Sequence, residues 1–513
     1  MASRYWRAGT GTWNSTNTTN WSTTSGGSGG ASVPGASDTV FFDANSGGAP
    51  VVTWDATSAS SVVSIDCTGF TGTLATGGLS KTLSGTGTVW SSPVTCTITG
   101  APTLTVSSTG STAITVICNH ASPSATNAPN FSFTGGTYAL TCSGNGWRNI
   151  IFTGFAGSIA SGTNPTSYGN ITLSTGGTFT AHGPTMAATG TFTSLGKTIS
   201  GITVNAAGGT VTLADAMTAG TSNITTLTAG TLALAGFTLS TGIFSSSNSN
   251  TRAISFSTGN IALTSTGVGT TNLSMADATN FTYTGTGSFT RVSSAISTVV
   301  FGTTSGSTTN APNYTVSSGS SNVAMTNGSW FKVVSFAGMT GGSVIGAVNL
   351  AGNLTVNPGV VWGGFFVTFR DTASFNLVGA IGFGSIAVDG AGITVTLSNT
   401  GTNNPVSVLS LAQGTLNITT NLNSNSFSSS NSNVRALTLT AGIIFTISGS
   451  GASAWNTATS TNLTFTPNTA TISMTSASAK TFAGGDLAYY NLNQGGAGAL
   501  TISGSNTFNN ITN

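Results

Sequence analysis

The sequence predicts an all-β fold, an elongated β-solenoid (parallel β-helix) with internal repeat blocks of about 183 residues. Three observations predict it. Short runs alternate apolar and hydroxyl residues, turn residues interrupt them every few positions, and four landmarks recur at one constant spacing. Ala436-Leu-Thr-Leu-Thr440, Gly209-Thr-Val-Thr-Leu213, Gly169-Asn-Ile-Thr-Leu173 and Thr461-Asn-Leu-Thr-Phe465 carry the period of half-buried strands. Thr, Val, Ile and Phe supply β-propensity, while Gly-Gly, Asn-Gly, Ser-Gly and Gly-Thr supply the turns.

The long repeat sets the architecture. Thr126-Asn-Ala-Pro-Asn130 recurs as Thr309-Asn-Ala-Pro-Asn313, and Trp147 recurs as Trp330. Gly169-Asn-Ile-Thr172 recurs as Gly352-Asn-Leu-Thr355. Phe244-Ser-Ser-Ser-Asn-Ser-Asn250 recurs as Phe427-Ser-Ser-Ser-Asn-Ser-Asn433, with Arg252 and Ala253 matching Arg435 and Ala436. All these pairs share the offset that separates Trp147 from Trp330. A third, partial copy opens at Thr461 and echoes Thr279-Asn-Phe-Thr-Tyr283 at nearly the same spacing. One supersecondary unit takes roughly 20–50 residues, so each block must hold several turns of chain. Cys67, Cys96, Cys118 and Cys142 recur at intervals of roughly 22–29 residues, the span of one such unit. If they take similar inward places on successive rungs, a block holds about eight rungs of ~23 residues, and stacking at ~4.8 Å gives a rod on the order of 100 Å. The expected layout is 1–48 as a Trp-rich cap, 49–82 as first rungs, 83–265 and 266–448 as two blocks, and 449–513 as a partial third. A string of β-sandwich modules is the competing architecture. It calls for linkers and for Lys or Glu on exposed strand faces, and neither is visible.

Charge narrows the function. The 513 residues include 4 Lys, 7 Arg, 9 Asp and no Glu, or 4% charged, against roughly 25% in an ordinary soluble domain. A net charge of +2 without a basic stripe argues against nucleic acid as a partner and against a polybasic membrane patch. No apolar run reaches the ~18 residues of a membrane helix. The opening Met1-Ala-Ser-Arg-Tyr-Trp-Arg-Ala8 lacks an apolar core, so no secretory signal is expected. The cysteines lack a Cys-x-x-Cys pair and are expected as buried thiols, with disulfide pairing as the alternative.

Catalytic equipment is thin. Glycoside cleavage needs two carboxylates about one bond, and only Asp43 and Asp66, one rung length apart, suggest a pair on adjacent rungs. Both read better as turn or strand residues. His120 and His182 are the only histidines, and no nucleophile elbow, phosphate loop or metal-ligand cluster is present in the sequence. No enzymatic activity, cofactor or metal is expected. Arg252 and Arg435 are expected to donate to turn carbonyls, with ligand contact as the alternative. The Asn248-Ser-Asn250 runs suit ladders in which side-chain amides pair between rungs, or else solvated loops.

The N-terminal segment carries Gly11-Thr-Trp13, Asn20-Trp21, a Gly-rich loop, Val33-Pro34 and Asp38-Thr-Val-Phe-Phe42, with Trp6 before them. It resembles the opening of β-helical passenger and phage structural proteins, where such a segment caps the first rung. Trp6, Trp13, Trp21, Pro34, Asp38 and Phe42 are thus candidates for a cap or a docking surface. The two Phe-Ser-Ser-Ser-Asn-Ser-Asn-x-Arg-Ala elements resemble a recurrent element of β-solenoid proteins of tailed bacteriophages. So do Lys480-Thr-Phe-Ala-Gly-Gly485, Tyr489-Tyr-Asn-Leu-Asn493 and Ile502-Ser-Gly-Ser-Asn-Thr-Phe508. The resemblance covers nearly the whole chain and implies a virion structural protein: a fibre, appendage or decoration contacting other virion subunits and cell-surface glycans. It transfers no catalytic residue. A homo-oligomer, either a trimer or a head-to-tail stack meeting at Asn513, is expected with it. The alternative is an extracellular bacterial adhesin or filament subunit. Thr103-Leu-Thr105 and Thr210-Val-Thr212 are too irregularly spaced for an ice-binding array.

Overall fold

A computed structural model describes residues 1–160, 164–293, 295–302, 311–378, 382–401 and 405–513. Thr309 and Asn310 of the second Asn-Ala-Pro-Asn motif lie outside them. The chain is 51% strand and 1% helical, and its parallel coils stack into a β-solenoid of about 21 turns. A turn therefore takes about 24 residues, the size of one repeat unit in a stacked-coil protein. Contacts divide the chain into two compact units, 1–245 with 250–260, and 246–249 with 261–513.

In the first unit a turn runs through three strands. Ser64–Asp66, Thr73–Ala75 and Lys81–Leu83 form one turn, and Gly87–Ser92, Thr97–Thr99 and Thr103–Ser107 form the next. Each strand pairs in parallel with its successor, for example Trp90 with Ile65, Thr97 with Thr73 and Leu104 with Lys81. The alternation seen in the sequence sets the faces. In Ile114–Cys118 the residues Ile114, Val116 and Cys118 are buried, while Thr115 and Ile117 turn outward. No single turn can enclose its own apolar side chains, so stacking creates the core.

The cysteines do not form one column. Ser92 opposes Cys118 and Val116 opposes Cys142, while Cys96 follows a tight turn whose amide bond closes on Pro93. Their spacing still falls within the range of coil lengths, which runs from the Phe131–Ile150 pair through Gly230–Arg252 to the longer Arg435–Leu463 pair. All four are buried free thiols. Burial pushes the thiols of Cys67, Cys118 and Cys142 up, that of Cys142 to about 12, so they stay protonated and inert.

In the second unit, Ser385–Ser398 and Val406–Ile418 pair from Ser385↔Val408 to Leu397↔Ile418, with a corner between Asp389 and Thr394. Gly414, at φ +86°, sits where a Cβ would meet the Gly390 carbonyl oxygen at 2.5 Å. Gly230 (φ +82°) holds the matching place in the first unit, against Ala206. Gly230 opposes Arg252 as Gly414 opposes Arg435. The repeat in sequence is therefore a repeat in main-chain geometry.

Candidate functional site

The first turn is closed by aromatic residues. Ala2–Trp6 pairs in parallel with Asp38–Phe41 on one side. On its other side lies Trp21–Ser22, the only antiparallel ladder among the described strand pairings. An antiparallel edge two residues long ends the parallel stack. Beneath it Trp6, Trp13, Trp21 and Phe42 are wholly buried. The Trp6 and Trp13 rings meet Trp21 edge-on at 5.1 and 5.4 Å, and Phe42 lies 6.1 Å from both Trp13 and Trp21. Trp13 also meets Trp54 at 5.8 Å. Pro34 is buried, and the Asp38 carboxylate accepts the Gly35 amide at 3.0 Å and faces Arg4 at 3.8 Å. None of these rings reaches the surface, so their faces are closed to docking. Lys81 joins the plug from the next turn. Its ammonium lies 4.1 Å from the Trp13 ring and 4.8 Å from the Trp54 ring, and it donates to Ser58 Oγ and the Ala59 carbonyl. Burial lowers its pKa to about 8.

The duplicated Phe-Ser-Ser-Ser-Asn-Ser-Asn turn is a device for joining coils. Arg435, 2% exposed, donates Nε to Ser429 Oγ at 2.8 Å. Its Nη1 reaches the Asn433 and Thr461 carbonyls, each at 2.8 Å, and its Nη2 the Ser429 and Thr459 carbonyls. Asn462 donates to the Ser432 carbonyl and Asn433 to the Ala412 carbonyl. The counterparts repeat the pattern: Arg252 Nη1 to the Asn250 carbonyl, Asn280 to Ser249 and Asn250 to Thr228. These amides thus bond main-chain carbonyls of adjacent coils. An amide-to-amide contact occurs at Asn149. Asn149 Nδ2 donates to Asn130 Oδ1 at 2.7 Å, while the Asn170 and Thr191 amides donate to Asn149 and Asn170 Oδ1. Recurrence of Asn once per coil, at 130, 149 and 170, was the signal for it.

Trp147 and Trp330 do not share one structural role. Trp147 is buried against Phe131 at 4.4 Å and donates Nε1 to the Ser143 carbonyl at 3.1 Å. Trp330 faces outward, half-buried, with Phe331 taking the core. The reason is a one-residue slip: Phe131 pairs with Ile150, but Tyr314, its counterpart, pairs with Val334 where equal register demands Val333. A slip of one reverses the face.

The outward Trp330 heads a polar column in the second unit. The Arg370 guanidinium lies 5.9 Å from its ring. Arg370 Nε donates to Asn349 Oδ1 at 3.0 Å, and its Nη1 bonds the Asp389 carboxylate and, at 3.0 Å, the Asp389 carbonyl. Gln413 Nε2 donates to Asp389 Oδ1 at 3.0 Å. An aromatic face, two amides and an ion pair thus share one outer strip. In the first unit the same corner is open. Asn205 opposes Ala229 at the bulge where Asp389 opposes Gln413. There Asn205, Ala207, Gly208, Ala229, Asn250 and Thr251 surround a cavity of about 590 Å³.

The remaining carboxylates serve turns. Asp43 caps 44–46 by accepting the Asn45 amide, and Asp66 accepts the Thr68 amide and hydroxyl. Asp66 opposes Phe41, so it and Asp43 are not register partners. Asp55, Asp215 and Asp277 likewise accept backbone amides. His120 accepts the Ser122 amide at Nδ1 and donates Nε2–H to the Ile98 carbonyl. Among the described residues no group of three or more His, Cys or Asp side chains is placed to hold a metal ion. Set against known proteins, the chain matches no family model, no curated protein and no solved structure.

His182 supplies a measurable pH response. Both ring nitrogens are buried without a hydrogen-bond partner, against Phe152 and Phe179 at 6.2 and 6.3 Å. Burial lowers its pKa to about 4 from 6.5. Between these values the unfolded chain binds more protons, so the stability it confers is full above pH 6.5 and is lost as pH falls toward 4. The loss amounts to roughly 3 kcal/mol at most. In His182→Phe this acid-induced fall in the urea midpoint is expected to shrink. An identical pH profile in the variant excludes the assignment.

Proposed function

We propose that the chain is a non-enzymatic structural protein of a bacteriophage particle, a fibre, appendage or decoration, that contacts host-surface glycans through the outer corner of its coils. The observation that carries the glycan part is the strip Trp330, Asn349, Arg370, Asp389 and Gln413. A ring face with planar amide, guanidinium and carboxylate groups matches the alternating CH and OH faces of a sugar. The first-unit recess is lined by Asn205 and Asn250 together with Ala207, Gly208 and Ala229. The likeness of the Phe-Ser-Ser-Ser-Asn-Ser-Asn element to phage solenoids supports the virion setting. A homo-oligomer belongs to the same reading.

The test is a neutral and acidic glycan array probed with the whole chain and with Trp330→Ala/Arg370→Met. Retention of a glycan class by the wild type, weakened tenfold or more in the variant, is expected. No retention, or equal retention by both, overturns the glycan contact. Antibody labelling of phage particles in electron micrographs tests the virion setting separately. Labelling of the bacterial envelope alone favours the adhesin reading.

A further inference from the structure

Four polar side chains share one stretch of the inner wall of the second unit. Asn272, Arg291, Ser297 and Tyr314 are each at most 2% exposed. Neither atom of the Asn272 amide, nor Arg291 Nε and Nη1, has a hydrogen-bond partner, and the hydroxyls of Ser297 and Tyr314 have none beyond each other. Arg291 donates through Nη2 to the Ala295 carbonyl. Register brings the four together. Phe289 opposes Tyr314 and Arg291 opposes Val316, so Arg291 and Tyr314 are diagonal neighbours on the inward face. The two lie within electrostatic reach, and Ser297 stands beside the Tyr314 hydroxyl. Asn272 is the bulged residue of Thr270–Met275, two positions beyond Thr270, the partner of Ser297.

The repeat shows what belongs there otherwise. Gly87 opposes Ile114 at a bulge containing Val89, as Thr270 opposes Ser297 at a bulge containing Asn272. Phe131 is the counterpart of Tyr314. Val106 opposes Phe133, as Arg291 opposes Val316. Val89, Val106, Ile114 and Phe131 are all fully buried. The first block thus places four apolar side chains where the second places an amide, a guanidinium and two hydroxyls. An apolar wall needs no such change for stability. An arginine keeps its proton in a protein, and leaving a buried charge unpaired is strongly destabilising. Neither ion pair among the described residues includes Arg291. Arg435, equally buried, spends its donors on four carbonyls and a hydroxyl. Arg291 has donors left over, and the Asn272 amide and the second hydrogen of the Ser297–Tyr314 hydroxyl pair add more. A set of unspent donors about a fixed positive charge selects an anion, and enclosure selects a small one.

We propose that Arg291, Asn272, Ser297 and Tyr314 form an internal site for a small monovalent inorganic anion of the chloride type. The ion neutralises the guanidinium and accepts from the amide and hydroxyls, so its binding stabilises the second unit by mass action. The test compares thermal unfolding in sodium chloride and sodium gluconate at matched concentrations. The variant is Asn272→Val/Arg291→Val/Ser297→Ile/Tyr314→Phe, which restores the first block's residues and therefore has a packed template. A saturable rise of several degrees with chloride is expected in the wild type and not in the variant. Equal curves in the two salts for the wild type, or the same chloride response in the variant, overturns the site. Crystals of the wild type grown in bromide give an independent reading. An anomalous peak beside Arg291 supports the site, and ordered water alone at that place overturns it.

Discussion

Trp13→Ala is expected to unfold the first turns of the solenoid while leaving the later ones protected. Trp13 is fully buried and touches Trp21, Phe42 and Trp54, and its ring lies under the Lys81 ammonium. Its Nε1 has no hydrogen-bond partner, so the substitution breaks no hydrogen bond of the ring. A buried Trp→Ala change costs about 3–5 kcal/mol. Loss of the ring face from a desolvated ammonium adds about 1–2 kcal/mol. Stability in a stacked-coil protein is close to a sum of neighbour terms, so the deficit stays local. Hydrogen exchange reads it directly. Amides of Ala2–Trp6, Asp38–Phe41 and Val51–Trp54 should exchange a hundredfold or more faster, with those of Arg435–Leu439 unchanged. Uniform loss along the chain would contradict the local-plug account, and unchanged exchange in the first turns would remove it.

The plug was legible in the sequence because large aromatic residues concentrated in a short Gly-rich segment have few ways to be buried. The period-two strands were legible for a similar reason: alternation in Arg435–Leu439 maps directly onto inward and outward faces. What a sequence does not carry is register. The repeat aligns Trp147 with Trp330, but a single-residue slip between Tyr314 and Val334 turns Trp330 outward and creates the strip with Arg370. The cysteines gave the rung length without sharing a column, because corners of unequal length move each residue along its coil. The Arg291 cluster was hidden for a further reason. Asn272, Arg291, Ser297 and Tyr314 look like ordinary surface residues until pairing places them on the inner wall.

Register also decides what Arg435 is worth. Its side chain spans two coils, holding Ser429 and Asn433 on one and Thr459 and Thr461 on the next. The Ser429 amide independently bonds the Asn456 carbonyl between the same coils. Arg435→Met keeps much of the apolar stem but strips four carbonyls of a charged donor. Each buried acceptor left without a partner costs about 1–3 kcal/mol. Partial rehydration of this outer turn reduces the sum, and a net loss of about 3–5 kcal/mol is expected. The planar fork matters as well as the charge. An ammonium offers three donors from one point and cannot reach across two coils as five donors in a plane do. Arg435→Lys should therefore recover less than half of the loss. Urea unfolding followed by proteolytic cleavage within 427–466 measures both variants. Full recovery with lysine would mean that the coils need only a positive charge at this place. A methionine variant as stable as the wild type would mean that the main-chain ladders alone hold the turn.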